Sequence, residues 1–275
     1  MSTDQHQLRL PESLDVRGDE LFVDRRHPFF FDHPLDHVSG MLLLTALLER
    51  VRRCTDDVDT RTWIDLEFFR LCELDRPVTV LAARADDGFT VAATQDDSAV
   101  CSGVITLRPD DQPTPPARHD DCPVVPIDAG LVHRKDPRNV LIGEPTRSAD
   151  HLRAPLLSPP PSHFLRRADA GRYSVEEIVE AGRQLLTVAG YRVHGRPAGT
   201  QLVWMSLTAD LPTTPSRATP LALRWPVGPP RGNRVVFDID VVVRGSANPI
   251  GRLSYVVRFC TSAAYRRLRE QGRSR

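Results

Sequence analysis

Two segments of this chain are apolar around almost their whole circumference at helical spacing, and each is followed by a run of strand-like segments. The first spans residues 38–53 and carries Met41, Leu42, Leu43, Leu44, Ala46, Leu47 and Leu48. The second spans residues 175–190 and carries Ile178, Val179, Ala181, Leu185, Leu186, Val188 and Ala189. A helix apolar on every side has to be wrapped by protein rather than laid on a surface. Strand-like segments follow at 63–70, 78–83, 89–94 and 99–107 in the first half, and at 201–208, 221–225, 234–244 and 253–259 in the second. Asp238 and Asp240 alternate with Phe237, Ile239 and Val241, the period-two pattern of a strand with one wet face. One buried helix followed by antiparallel strands, twice over, predicts an α+β chain in which each sheet curls around its own helix.

The prolines punctuate this order. A cluster from Pro109 to Pro126 reads as an extended linker, and divides the chain into a first repeat at 1–108, a linker at 109–127 and a second repeat at 128–275. A short strand at 21–23 precedes the first helix, the second repeat opens with Asn139-Val-Leu-Ile-Gly143, and residues 261–271 read as a short basic helix.

Composition excludes several classes of function. The 275 residues are 40% hydrophobic and 26% charged, with a formal net charge of +0, which points to neither nucleic acid nor an anionic membrane surface. Lys135 is the single lysine, so any anion site has to rely mainly on arginine, whose planar fork suits phosphate and carboxylate. The five cysteines are scattered with no Cys-x-x-Cys pair, which argues against a zinc knuckle and for reduced thiols in a cytoplasmic protein. No signal peptide is read at the N-terminus, and the apolar run at 41–48 is too short to span a bilayer.

The chemistry concentrates where a polar turn enters the first helix: Asp32, His33, Asp36 and His37 precede Gly40 and Met41. A helix N-terminus offers free N–H groups and a positive dipole end, suited to a thioester oxygen or a phosphate. An imidazole titrates near neutrality and passes protons either way, so His33 is a candidate catalytic residue; the alternative is a helix-capping role under Pro34. His37 reads as structural or substrate-binding, and Asp36 as a substrate-binding residue that also contributes to the helix N-cap. Gly40 permits close backbone approach, and its N–H is a candidate oxyanion donor. Histidines four apart with nearby aspartates suggest a metal site, but Pro34 and the turn argue against one, so no metal is expected.

Glu180 interrupts the apolar face of the second helix, and a buried carboxylate there needs a partner or a function. Arg183, three residues on, shares its face. Two readings stay open: a catalytic acid or base beside an anion-binding arginine, or an ion pair holding the halves together. His133, Arg134, Lys135 and Arg138 form a basic cluster, read as a solvated face or as a contact for phosphate or phosphopantetheine.

The motif Asp-His-Pro-Leu-Asp-His-Val-Ser-Gly-Met-Leu-Leu-Leu (32–44) resembles the hotdog repeat of the A-factor biosynthesis (AfsA-type) family, and residues 131–144 and 171–184 are similar to its repeat opening and its other helix. The resemblance implies a tandem double hotdog. In the family the first helix would read Leu-Glu-Ala-x-Arg-Gln; here Thr45 stands where the acid is expected, and the two repeats stand in swapped order. Aligning 44–46 with 179–181 sets Thr45 against Glu180 and His33 against Ala168, so each half keeps what the other lacks. By resemblance to acyl-thioester dehydratases, His33 and Glu180 would face each other in one composite site.

The resemblance further implies an acyltransferase of secondary metabolism. A β-ketoacyl group on an acyl carrier protein or CoA would pass to the hydroxyl of a dihydroxyacetone-phosphate-like acceptor, with Arg183 orienting a phosphate or carboxylate and no cofactor beyond the thioester itself. A dehydratase or hydratase acting on a β-hydroxyacyl substrate, and a non-catalytic ligand-binding hotdog, are the alternatives. A monomeric pseudo-dimer or a homodimer fits either.

Overall fold

The structure is a computed structural model and describes residues 17–55, 60–110, 123–166, 171–212, 215–228 and 232–273. In chain order the elements are β1 (Arg17–Glu20), β2 (His37–Val38), α1 (Gly40–Arg52), β3 (Thr60–Phe68), β4 (Cys72–Glu73), β5 (Thr79–Ala85), β6 (Gly88–Gln95), β7 (Ser98–Pro109), β8 (Thr146–Arg147), β9 (His151–Pro155), α2 (Val175–Arg192), β10 (Gln201–Pro212), β11 (Leu221–Pro226), β12 (Arg234–Val243), β13 (Pro249–Cys260) and α3 (Ser262–Arg273). The short strand expected at 21–23 is loop, because β1 pairs with β5 only as far as Glu20. Most of the proline-rich stretch, and Ala168, lie outside the described residues.

Eleven strands form one antiparallel sheet in the order β1-β5-β6-β7-β3-β10-β13-β12-β11-β9-β8. The strands after each helix repeat one connectivity: β5-β6-β7-β3 in the first half and, in mirror order, β11-β12-β13-β10 in the second. The strand before each helix adds to the same place, β1 on β5 and β9 on β11. The chain is therefore a tandem double hotdog, its halves joined where β3 pairs with β10 from Glu67–Ser206 to Arg61–Pro212. Arg61 locks that seam with a 2.6 Å bond to the Asp210 carboxylate.

Local signals fix both helices. Ser39 caps α1, its Oγ accepting from the Leu42 N–H, while Arg50 and Arg52 complement the C-terminal dipole. Asp36 was expected to serve that cap and does not; it lies before β2 and is held by α3. Ser174 and Glu177 form a reciprocal capping box on α2, satisfying two otherwise orphaned donors. Every residue of α2 is buried except Arg183, Tyr191 and Arg192. Gly182 lets this helix lie directly on β13: a Cβ there would come within 2.5 Å of the Tyr255 hydroxyl, which donates to the Val179 carbonyl. Arg52 joins the two helices through a two-pronged bond to Glu176, at 2.5 and 2.9 Å.

Candidate active site between the two halves

A cleft of about 190 Å³ opens where the N-terminus of α1 meets the first residues of β10. Met41, Leu43, Phe68, Leu202 and Trp204 give it apolar walls, and His33, His133, Arg134 and Arg183 make its polar end. Gly40 sits in the wall because Trp204 leaves no room for a side chain: a Cβ would lie 2.9 Å from the indole. The first N–H groups of α1 have no acceptor within the helix, so Gly40 and Met41 present donors at the cleft.

His33 comes from the loop between β1 and β2. Its Nδ1 lies 2.7 Å from Oδ1 of Asp32. The Asp32 side chain is almost wholly enclosed, and burial alone would raise its pKa; the His33 hydrogen bond and the Arg134 charge outweigh that and hold it at about 2. An ionised carboxylate can only accept, so Nδ1 carries the proton of this bond, and in the neutral ring Nε2 is left with a lone pair. Asn139 Nδ2 at 3.0 Å, the Lys135 backbone N–H at 3.3 Å and Arg134 Nη1 at 3.4 Å fix the carboxylate.

Arg134 reaches the interior because His133 adopts a left-handed conformation, φ +56°, which turns the following residue inward. Its guanidinium packs 4.4 Å over the Phe29 ring and donates to the Phe29 carbonyl at 2.6 Å. It also meets Glu180, at 3.2 Å from Nε and 2.8 Å from Nη2. Arg183 binds the same carboxylate through Nε and Nη2, both at 2.7 Å, and Gln184 adds a bond of 2.8 Å. Burial would raise Glu180, but the two arginines outweigh it and hold it at about 2. Two arginines and two carboxylates thus form a charge-balanced group at the floor of the site.

His33 and Glu180 are brought together through that group and not by direct contact: the connection runs His33, Asp32, Arg134, Glu180. Glu180 is fully buried and does not line the cleft. Arg183 does line it, and its Nη1 is left over after the bonds to Glu180 and the Val132 carbonyl. Gln184 pins the loop that carries Asn139, accepting from the Leu141 N–H and donating to the Asn139 carbonyl, both at 2.8 Å.

His37 lines the cleft, while Asp36 is clamped by α3. Asp36 accepts from the Tyr265 hydroxyl and from Arg269 Nη1, each at 2.7 Å, and Arg269 also grips Glu73. These bonds, led by that from His37, hold the Asp36 carboxyl well below the usual range. The C-terminal helix is thus only partly the solvated helix that its sequence suggests: Arg266 and Arg267 are exposed, but Tyr265 is buried against the turn.

Thr45 and Glu180 are each the sixth residue of their helix. Thr45 donates to the Met41 carbonyl of its own helix at 2.8 Å. The half carrying Thr45 has no counterpart of the Glu180 group among the described residues. No cluster of three His, Cys, Asp or Glu side chains suited to a metal occurs among them either, nor is any helix long and apolar enough to cross a membrane.

Asp32 does not stand out in the sequence as the partner of His33, and Arg134 stands there in a basic cluster with the look of a solvated face or of a phosphate contact. The signal for Arg134 was its place between the apolar residues Val132 and Val140, in a segment that already resembled a family motif.

The family model for the A-factor biosynthesis hotdog domain matches residues 9–53 and 116–261. The chain belongs to this family. A 100-residue stretch is 39% identical to a protein of Streptomyces virginiae named 2-oxo-3-(phosphooxy)propyl 3-oxoalkanoate synthase, covering 32% of this chain and 33% of that one. The match therefore spans about a third of the relative. Among solved structures, this A-factor family chain resembles a dehydratase domain from the CurJ module of curacin polyketide synthase, with a TM-score of 0.65 at 12% identity over 93% of this chain and 96% of that one. It also resembles the bifunctional dehydratase-cyclase domain of ambruticin biosynthesis, with a TM-score of 0.60 at 17% identity over 93% and 94%. At these identities the likeness is one of fold.

Proposed function

We propose that the protein is an acyltransferase that moves a β-ketoacyl group from a CoA or carrier-protein thioester to the hydroxyl of a phosphorylated three-carbon acceptor. The observation that carries this reading is the Asp32–His33 pair, which sets a proton-accepting Nε2 at the polar end of an apolar cleft. The name of the Streptomyces virginiae relative supports the same substrates.

In this reading the acyl chain lies along Trp204, Met41 and Leu202. His33 Nε2 takes the proton of the acceptor hydroxyl as its oxygen bonds to the thioester carbonyl carbon. The N–H groups of Gly40 and Met41 stabilise the oxyanion, and Arg183 Nη1 holds a second substrate oxygen. The carbon–sulfur bond then breaks, and the imidazolium returns its proton to the departing thiolate. Asp32 orients the ring and stabilises its charged form, while Glu180 positions Arg134 and Arg183.

One feature favours transfer over dehydration. Dehydration needs a base and a separate acid on the substrate, yet Glu180 is enclosed by its arginines behind the cleft wall. Transfer needs one group that takes a proton and gives it back. The test is to incubate the protein with β-ketoacyl thioesters of graded length and dihydroxyacetone phosphate, and to look for the ester by mass spectrometry. Ester formation lost in His33→Ala is expected. Absence of ester at every chain length, with water lost from β-hydroxyacyl thioesters instead, would replace the reading with dehydration.

A further inference from the structure

His33 borders two hollows. Besides the apolar cleft, it lines a vestibule of about 350 Å³ together with Arg25, Asp32, Pro34, Leu74 and Lys135. Only His33 and Leu35 line both, so these two side chains form the wall between them.

The charges of the two hollows differ. In the cleft, Arg134 and Arg183 are matched by Asp32 and Glu180, so the floor carries no surplus charge, and the one further arginine of the lining, Arg70, is held by the Gln95 and Ser98 carbonyls. In the vestibule, Arg25 spends one N–H on the Leu74 carbonyl at 2.8 Å, and neither it nor Lys135 has a carboxylate partner among the described residues. The one carboxylate there, Asp32, is already engaged by His33, Arg134 and Asn139. Two unmatched cations therefore flank the imidazole on the side away from the apolar walls. The neighbouring Arg138 is not comparable, being closed on Asp136.

Resting on the transfer reading above, we propose that Arg25 and Lys135 form the acceptor-phosphate subsite. The phosphate would then be held in the vestibule while the acceptor's three carbons pass His33, so that its hydroxyl meets Nε2 on the cleft side, where the thioester lies. The acceptor's chemistry fits this division. Three carbons separate its attacking hydroxyl from its phosphate, so the phosphate must lie about one side chain away from Nε2, in a place that welcomes two negative charges. The acyl chain needs the opposite environment, and the cleft supplies it. The step is the one already given: the hydroxyl proton passes to Nε2, the new C–O bond forms, the C–S bond breaks, and the thiolate recovers the proton.

The test uses Lys135→Ala, Arg25→Ala and the double variant, all at exposed positions, with Arg138→Ala as the control. Removing one charge-assisted phosphate contact is expected to raise the KM for dihydroxyacetone phosphate about five- to tenfold. The double variant should raise it further, with the KM for the thioester within about twofold of wild type. Calorimetric titration with dihydroxyacetone phosphate and with inorganic phosphate, in the absence of thioester, separates this proposal from the transfer reading. If wild type makes no ester but binds the phosphate compounds, and the double variant does not, the subsite stands and the transfer reading falls. Equal affinity in wild type and the double variant overturns the subsite. So does a rise in acceptor KM on Arg183→Lys with none in the double variant, which would put the phosphate in the cleft.

Discussion

The Asp32 carboxylate lies 2.7 Å from Nδ1 of His33, the residue next to it in the chain. Adjacent residues seldom pair in this way, because neighbouring side chains diverge on a helix or strand. The Pro-bounded turn allows it, and Arg134 and Asn139 hold the carboxylate in place from the other half. Asp32→Asn keeps the shape but lets the amide donate to Nδ1, turning the proton of the ring toward the substrate. Turnover should fall by about a hundredfold or more, with the thioester KM little changed. Steady-state kinetics at saturating acceptor would check this; an unaltered kcat would remove Asp32 from the mechanism.

Glu180 is the anion on which Arg134 and Arg183 both rest. Glu180→Gln leaves the buried Arg134 and the half-buried Arg183 facing one carboxylate, and the fold should lose about 3–5 kcal/mol. Urea denaturation of the single variant, and of Glu180→Gln combined with Arg134→Gln, provides the measurement. The double variant should recover part of the loss, since the excess charge is gone. Full stability in the single variant would count against the charge-balanced group.

Gly40→Ala puts a methyl group 2.9 Å from the indole of Trp204. Either the ring shifts or the start of α1 does, at a cost of about 1–3 kcal/mol. Both movements narrow the cleft, so the KM for long acyl chains should rise more than that for short ones. A chain-length series settles the matter, and a uniform change would show that Gly40 does not shape the acyl wall.

Burial holds His133 and His163 at about 4, with Arg134 acting in the same direction on each. Between pH 6.5 and 4 the unfolded chain takes up protons at these rings and the folded chain does not, so stability falls as the pH falls. A second loss follows as the pH drops through the native pKa values of Asp32 and Glu180, both about 2, whose contribution is fully present only above their unfolded values. Unfolding free energies at half-unit pH steps would reveal the two stages. A flat profile from pH 6.5 to 4.5 would contradict the assignment of neutral, buried rings.

Much of the fold was legible because its two strongest signals are local. A helix apolar on all sides and a run of alternating strands declare themselves within a dozen residues, as Met41–Leu48 and Phe237–Val241 do. The short pairs were not legible: Thr146–Arg147 and Cys72–Glu73 are strands only because partners arrive to meet them. The site divided along the same line. His33, Gly40 and Arg183 stand out in the sequence through local pattern and the family resemblance, and each lines the cleft. The bond from Arg134 to Glu180 joins residues 46 apart, and that from Arg134 to Asp32 joins residues 102 apart, so neither leaves a periodic trace. A helix cap was assigned to Asp36 on proximity alone, whereas Ser39 has the spacing to reach the Leu42 N–H.

The clamp of Arg269 on Asp36 spans 233 positions of the chain. The turn that carries His33 is therefore made well before α3, the helix that holds it. The turn can gain these contacts only once α3 has been made. A nascent chain that ends before α3 would hold the Asp32–His33 pair and the apolar helix, yet lack the bracket on the turn that joins them.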